Sequence, residues 1–224
     1  LIFKMKIALL GYGKMGKVIE KIAVSRGHEV TLKIDKDSTP YDITSVDVAI
    51  NFSTPESAVE NIRIALENNI PVISGTTDWL EKLEDIKKEC LDNNGAFLYA
   101  SNFSLGMNIF FELNKILAKL MKDKKYTPSI EEIHHIDKLD APSGTALTLE
   151  NQIKNILNQE IKITSKRTPN MIGTHKINYS SQIDNIEMIH TSKSRDGFAL
   201  GALIAAEWIM DKKGVFSIKD LLSL

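Results

Sequence analysis

Apolar residues along the chain come first in short unbroken runs and then at helical spacing, and this alternation repeats. Lys6-Ile-Ala-Leu-Leu10 is a buried strand by its continuous run, and Val18, Ile19, Ile22 and Ala23 mark a helix ending near Gly27. Val30 to Ile34 and Asp47 to Phe52 are the next strands. Thr54 and Pro55 then open a helix with Ala58, Val59, Ile62, Ala65 and Leu66 on one face. Pro71 to Ser74 and Ala96 to Tyr99 are strands on either side of an amphipathic helix from Trp79 to Cys90. Such alternation predicts an α/β domain of Rossmann type with a parallel sheet. The long amphipathic stretch 104–123 begins something else. Beyond it the spacing predicts a strand over Ile130 to His135 and a helix from Gly144 to about Leu157. Strands near His175 to Tyr179 and Ile186 to Thr191 follow, then a last long helix from Ala199 to Met210. This second set reads as an α+β domain with a mixed sheet. The expected organisation is a first domain over 1–103, a second over 104–206, and a tail, 207–224, that rejoins the first.

The first strand runs straight into Gly11-Tyr-Gly-Lys-Met-Gly16, and the second strand closes on Asp35. A Gly-x-Gly-x-x-Gly turn between strand and helix, with an acid about 20 residues on, is the dinucleotide-binding pattern. Gly11 permits the tight turn, Gly13 lets backbone approach a pyrophosphate, and Gly16 lets helix and strand pack closely. Tyr12, Lys14 and Met15 complete the loop. Asp35 is placed to bond a ribose 2′-hydroxyl and repel a 2′-phosphate, a repulsion that Lys36 partly offsets, so NADH use is expected to at least equal NADPH use. Ligands of open parallel sheets gather at the carboxyl ends of the strands, where Phe52-Ser-Thr54, Gly75-Thr-Thr77 and Ala100-Ser-Asn-Phe103 also lie.

Composition narrows the classes without choosing among them. With 43% hydrophobic and 25% charged residues the chain is globular, and 28 Lys+Arg against 29 Asp+Glu give a net charge of −1. No bulk attraction to nucleic acid or anionic membrane follows. No apolar run approaches the ~20 residues of a membrane span. Leu1 to Lys4, ahead of Met5, is too short for a signal peptide. The single Cys90 rules out an internal disulfide and suits a reducing cytoplasm. The five histidines show no metal-binding spacing and no thiolate pair accompanies them, so no metal is expected.

The densest chemistry lies between 131 and 145: Glu131-Glu-Ile-His-His-Ile-Asp-Lys-Leu-Asp-Ala-Pro-Ser-Gly-Thr145. On a strand, His134 and His135 point to opposite faces and so hold different roles, though alternation does not say which does what. Lys138 follows after a short turn. Ser143 is placed to cap the next helix, leaving the N–H groups of Gly144 and Thr145 free at its start. A helix start with a cation nearby is an anion site, here suited to a carboxylate or dicarboxylate.

This stretch resembles the signature of the dihydrodipicolinate reductase family, Glu-x-His-His-x-x-Lys-x-Asp-x-Pro-Ser-Gly-Thr-Ala, which here runs from Glu132 to Ala146. The resemblance extends over essentially the whole chain, including Arg167, Gly173-x-His175, His190 and Ser194-Arg-x-x-Phe198. It departs at 158–166, where family members commonly carry a longer, glycine-containing insert. The resemblance implies reduction of 4-hydroxy-tetrahydrodipicolinate to tetrahydrodipicolinate, with loss of water, by NADH or NADPH. It implies His134 as proton donor or acceptor and Lys138 as second proton donor. His135, Ser143, Gly144 and Thr145 are implied at the substrate, and Gly75, Thr76, Thr77, Ala100, Ser101, Asn102 and Phe103 on the nicotinamide side of the cofactor. A homotetramer is implied as well. His175 and His190 read more simply as sheet residues with satisfied hydrogen bonds. Two other classes compete: another two-domain nicotinamide oxidoreductase acting on an amino or imino acid, and a dinucleotide-binding regulator without catalysis. The first lacks a need for the His-His-x-x-Lys segment, and the second has no use for Lys138.

Overall fold

A computed structural model describes residues 4–35 and 41–223 of the chain. It divides into two compact units, one built from residues up to Leu105 together with those from Asp196 onward, the other from Gly106 to Arg195.

The first unit is a parallel sheet between helical layers. Its strands are β1 (Lys6–Leu10), β2 (Glu29–Ile34), β3 (Val48–Asn51), β4 (Val72–Ser74), β5 (Ala96–Tyr99) and, late in the chain, β10 (Gly214–Ser217). They lie in the order β10-β5-β4-β3-β1-β2, and every pairing is parallel. A parallel sheet covered on both faces needs strands that are apolar throughout. β1, β3 and β4 meet that need, with Ile7 to Leu10 and Val48 to Ile50 at most 1% exposed. Helices α1 (Lys14–Ser25) and α6 (Asp196–Ile209) pack on one face, and α2 (Pro55–Glu67) and α3 (Leu83–Asp92) on the other. The predicted helix from Trp79 is in fact a 3-10 turn, Leu80–Lys82, followed by α3.

The chain rejoins this unit at Asp196 and not at 207. The cause is α6, whose Ala199, Ala202, Leu203, Ala205, Ala206 and Ile209 are all fully buried in the same core as Ile7, Leu9 and Ile50. Small residues let α6 lie very close, and a Cβ on Gly201 would sit 1.8 Å from the Phe103 carbonyl oxygen. A short helix, α7 (Ile218–Leu222), ends the described chain.

The second unit is a four-stranded mixed sheet in the order β7-β6-β8-β9. β6 (Thr127–His134) pairs parallel with β7 (Lys162–Arg167) and antiparallel with β8 (Gly173–Ser180), which pairs antiparallel with β9 (Asn185–Ser192). The short 158–166 segment therefore still supplies a strand, which the apolar spacing did not mark. Along β6 every second residue is buried, so Ile130, Glu132 and His134 share the covered face. Helices α4 (Leu105–Met121) and α5 (Gly144–Leu157) cover it through Met107, Phe110, Ala146, Leu149 and Ile153. Each fully buried Leu or Ile there stabilises by about 1.5–3 kcal/mol.

Candidate active site

In the first unit the glycine turn is shaped for close approach. Gly11 has φ +106°, and a Cβ there would meet the Phe52 carbonyl oxygen at 2.1 Å, so only glycine fits. A Cβ on Gly16 would meet the Gly11 oxygen at 2.4 Å, which explains the third glycine as a packing requirement. Gly13 differs, because nothing lies within 4 Å of where its Cβ would be. That open space faces the start of α1, which has no side-chain cap and no acidic residue in its first turn. Unsatisfied N–H groups beside open space suit a pyrophosphate.

Two adjoining clefts follow this edge. One of about 230 Å³ is lined by Gly11, Tyr12, Gly13 and Asp35, with Phe52 to Thr54, Ser57 and Asn61 opposite. The other, about 480 Å³, brings Gly13, Lys14 and Met15 to Gly75, Thr76 and Thr77. The Tyr12 hydroxyl donates to Glu20, and Lys33 pairs with Glu20 at 2.5 Å, fixing the tyrosine ring at the cleft wall. Thr76 Oγ1 accepts from the Ser53 N–H at 3.0 Å, joining the loops after β3 and β4. Ala100 to Phe103 line neither cleft; Phe103 is a core residue, 1% exposed, and Asn102 Oδ1 accepts from the Ser104 N–H. Lys36 lies outside the described residues. Phe52, Ser53 and Thr54 were placed at a ligand-gathering strand end but not among the cofactor residues the resemblance implies, and Ser57 and Asn61 were not expected at all. Their signal was the carboxyl end of β3 and the first turns of the helix after it.

In the second unit the signature folds into a strand end, a turn and a helix start. His134, the last residue of β6, is buried, and its Nδ1 contacts the Glu132 carboxylate. Glu132 is fully buried, and its other oxygen accepts from Arg167 Nη1 at 2.9 Å. The same guanidinium donates to the carbonyls of Lys138 (3.2 Å) and Asp140 (2.6 Å), stapling the turn that carries Lys138 to the strand that carries His134. His175 packs edge-on to His134, ring centres 5.1 Å apart, and its Nε2 meets Ser143 Oγ at 3.2 Å. Ser143 caps α5 as expected, its Oγ accepting from the Ala146 N–H. That leaves the N–H groups of Gly144 and Thr145 at the helix start. Lys138 Nζ reaches both oxygens of Asp140, at 2.7 and 2.9 Å. The strand stops one residue short of the expected His135, which follows it half-exposed with Asp137 4.0 Å away.

Electrostatics separates these groups. Burial pushes the His134 imidazole below its usual range, with Lys138 and Arg167 adding to the effect and Glu132 opposing it. Burial, with His134 beside it, takes His175 down to about 4. Burial alone would raise the Glu132 carboxyl, but hydrogen bonds from Ser165, Arg167 and His134 together hold it low. His175 and His190 do not have the satisfied hydrogen bonds expected of them, since the buried Nδ1 of each has no partner among the described residues. Cross-strand pairing puts Glu132, His175 and His190 side by side, the first two buried and His190 half-buried. Glu132, His134 and His175 offer donor atoms within 4.8 Å of one another. The Arg167 guanidinium already holds one Glu132 oxygen, and a cation there would meet that charge at once, so the cluster reads as a proton-carrying group.

A glycine-turn nucleotide unit joined to a mixed-sheet unit that carries a proton-donor cluster and an anion-binding helix start defines a two-domain, dinucleotide-dependent oxidoreductase. Comparison with known proteins narrows this. Residues 5–103 match the dihydrodipicolinate reductase N-terminus and residues 106–222 its C-terminus. The 4-hydroxy-tetrahydrodipicolinate reductase of Christiangramia forsetii is 49% identical, covering 98% of both chains. That of Thermosipho africanus is 38% identical over 97% of this chain and 98% of its own. Among solved structures, the dipicolinate-bound dihydrodipicolinate reductase of Paenisporosarcina superposes with a TM-score of 0.80 at 22% identity, covering 97% of this chain and 99% of its own. Aspartate dehydrogenase of Thermotoga maritima shares the fold more distantly, with a TM-score of 0.52 at 16% identity over 91% of this chain and 95% of its own. The chain belongs to the dihydrodipicolinate reductase family, whose members are NAD(P)H-dependent oxidoreductases.

Proposed function

We propose that this chain reduces 4-hydroxy-tetrahydrodipicolinate to tetrahydrodipicolinate, with loss of water, in the diaminopimelate route to lysine. The observation that carries the residue assignment is the stapling of His134 and the Lys138 turn to one guanidinium beside an anion-binding helix start.

The first unit holds NADH or NADPH along Gly11 to Gly16 and Asp35, with Gly75 to Thr77 further along the edge. The resemblance assigns Ala100 to Phe103 to the nicotinamide side; Ala100 and Phe103 are buried in the core, which leaves Ser101 and Asn102 of the loop after β5 to face a cofactor. When bound, the cofactor supplies the hydride. The chain supplies charge and protons. The substrate carries two carboxylates, and both need hydrogen bonds or cations once water is excluded. The N–H groups of Gly144 and Thr145, the Thr145 hydroxyl, Lys138 and His135 provide them, with Ser143 fixing the helix start. Reduction places negative charge on the ring, and a proton must follow. His134 delivers it or takes it, with Lys138 as second donor. The depressed basicity of His134 belongs to the free protein; a dianion close by favours the imidazolium and so loads the donor as substrate binds.

We also place the chain in the cytoplasm as a homotetramer. Ile109, Leu113, Ile116 and Leu120 form a stripe along α4 that is 46% to 66% exposed, an apolar face suited to other copies of the chain.

The test is NADH oxidation with aspartate semialdehyde and pyruvate condensed in place to give the substrate. Lys138→Ala and His134→Ala should each lower turnover by roughly 10²–10⁴ and leave NADH affinity unchanged. No oxidation by the unmutated protein would refute the reaction; full activity in either variant would remove that residue from the mechanism.

A further inference from the structure

We propose that Glu132, clamped by Arg167, is a positioning residue that presents His134 in its Nδ1–H form, with Nε2 as the atom that exchanges a proton with substrate. The proposal rests on the reading of His134 as the proton-exchanging group and adds what holds that group in its working state.

Three observations carry it. Glu132 is charged, fully buried and bonded through one oxygen to His134 Nδ1 and through the other to Arg167. A carboxylate only accepts hydrogen bonds, so the proton of a neutral His134 must sit on Nδ1. The unshared ring nitrogen, Nε2, then lies over Gly173, where a Cβ would come within 2.9 Å of it. Glycine at that position leaves this nitrogen uncovered, whereas a side chain would crowd it. Arg167 completes the device. Its Nη1 holds Glu132 while Nε and Nη2 hold the carbonyls of Lys138 and Asp140, so one planar group sets the imidazole and the Lys138 turn in register. A buried carboxylate would otherwise be costly to keep ionised.

The charges around His134 define the test. Glu132 faces it from its own strand, Arg167 from β7 and His175 from β8, with His190 of β9 behind His175. Lys138, paired with Asp140, faces it from the turn, and the α5 start contributes the neutral Ser143. Glu132 is the one negative group in contact with the ring among these. Its removal therefore disfavours the imidazolium. A proton donor loses activity as pH rises through its pKa, so that limb of the profile must move to lower pH in Glu132→Gln.

The experiment has three parts. Histidine ring nitrogens of the 15N-labelled wild-type protein are read by long-range proton–nitrogen correlation at neutral pH, with His134 assigned from His134→Ala. A protonated Nδ1 and bare Nε2 are expected, and the opposite tautomer would overturn the proposal without any variant having to fold. Glu132→Gln should lower kcat by roughly 10²-fold, the low end for a general acid–base group, with KM for NADH unchanged and the high-pH limb displaced downward. A variant with wild-type kcat, or one that loses activity equally at every pH, would show Glu132 to be merely structural. Arg167→Lys keeps the positive charge that disfavours the imidazolium but loses the fork, so it should lower kcat by loosening Glu132 and the Lys138 turn while moving the limb far less than Glu132→Gln does; wild-type kcat there would remove Arg167 from the device. His134→Ala separates the two levels. Full activity in it would sink the underlying reading, whereas reduced activity in it beside a wild-type profile in Glu132→Gln sinks only the positioning role.

Discussion

Asp140→Asn isolates the competition at the helix start. In the free protein the Asp140 carboxylate sits on Lys138 Nζ at 2.7 and 2.9 Å. Lys138 holds the Asp140 carboxyl below its usual range by hydrogen bond and charge, with the Gly144 N–H adding a smaller contribution. These are two of the donors assigned to a substrate carboxylate, so the residue's own acid must yield when substrate arrives. The side chains are 24% and 56% exposed. A pair this wet is worth about 0.2–1 kcal/mol. Asparagine keeps the shape and removes the charge, so that energy is no longer opposed to binding. Pyridine-2,6-dicarboxylate, the ligand bound in the Paenisporosarcina structure, should bind the variant tighter by about 1.4- to 5-fold in Kd. Titration calorimetry at low ionic strength reads this directly, and the gain should shrink in high salt as the pair is screened. Weaker dicarboxylate binding by Asp140→Asn would refute the reasoning, because Asp140 would then be supporting the ligand and not competing with it.

Thr145→Val should weaken binding of the same dicarboxylate by about 1–3 kcal/mol, the loss of one hydrogen bond to a charged group; unchanged affinity would take the Thr145 hydroxyl out of the site. Asp35→Ala should shift preference from NADH toward NADPH, measured as the ratio of kcat/KM values, and a strong NADPH preference already present in the unmutated protein would contradict the assignment. His175, at about 4 in the folded protein against 6.5 for a free imidazole, makes stability depend on pH. Between those values the unfolded chain binds a proton that the folded chain refuses, so this contribution is complete above 6.5 and is lost as pH falls toward 4. His175→Gln does not titrate, so its deficit in Tm relative to wild type should narrow from pH 7 to pH 4.5; a constant gap would show that His175 is not buried neutral.

Much of this was legible from spacing alone. The strands of the first unit are apolar runs because both faces are covered, and the Gly11 to Gly16 turn announced its ligand class. β7 and β10 were not legible, for a shared reason. Each is an edge strand, half of its pattern left in contact with solvent, and Lys162-Ile-Thr-Ser-Lys-Arg167 and Gly214-Val-Phe-Ser217 carry no periodic signal strong enough to separate from loop. In the site, His134 and Lys138 came from the signature, but Glu132 did not come with a role. Alternation does put Glu132 and His134 on one face. What sequence could not supply was Arg167 reaching from β7, a parallel neighbour formed by residues with no apolar mark. The buried, unpartnered nitrogens of His175 and His190 follow from cross-strand pairing, and register is invisible until the sheet is built.

The place of β10 has a consequence for how the molecule is made. It pairs with β5, yet everything from Gly106 to Arg195 is synthesised between them. The second unit is one continuous stretch of chain and can collapse as soon as it leaves the ribosome. The nucleotide unit cannot. Until α6 and β10 emerge, α1 alone stands on one face and leaves the part over β3 to β5 uncovered, and β5 is a bare edge with its backbone groups unpaired on that side. The nascent protein therefore carries a sticky, half-covered sheet for as long as it takes to translate its own second unit, and early termination before Gly214 would leave that edge open for good.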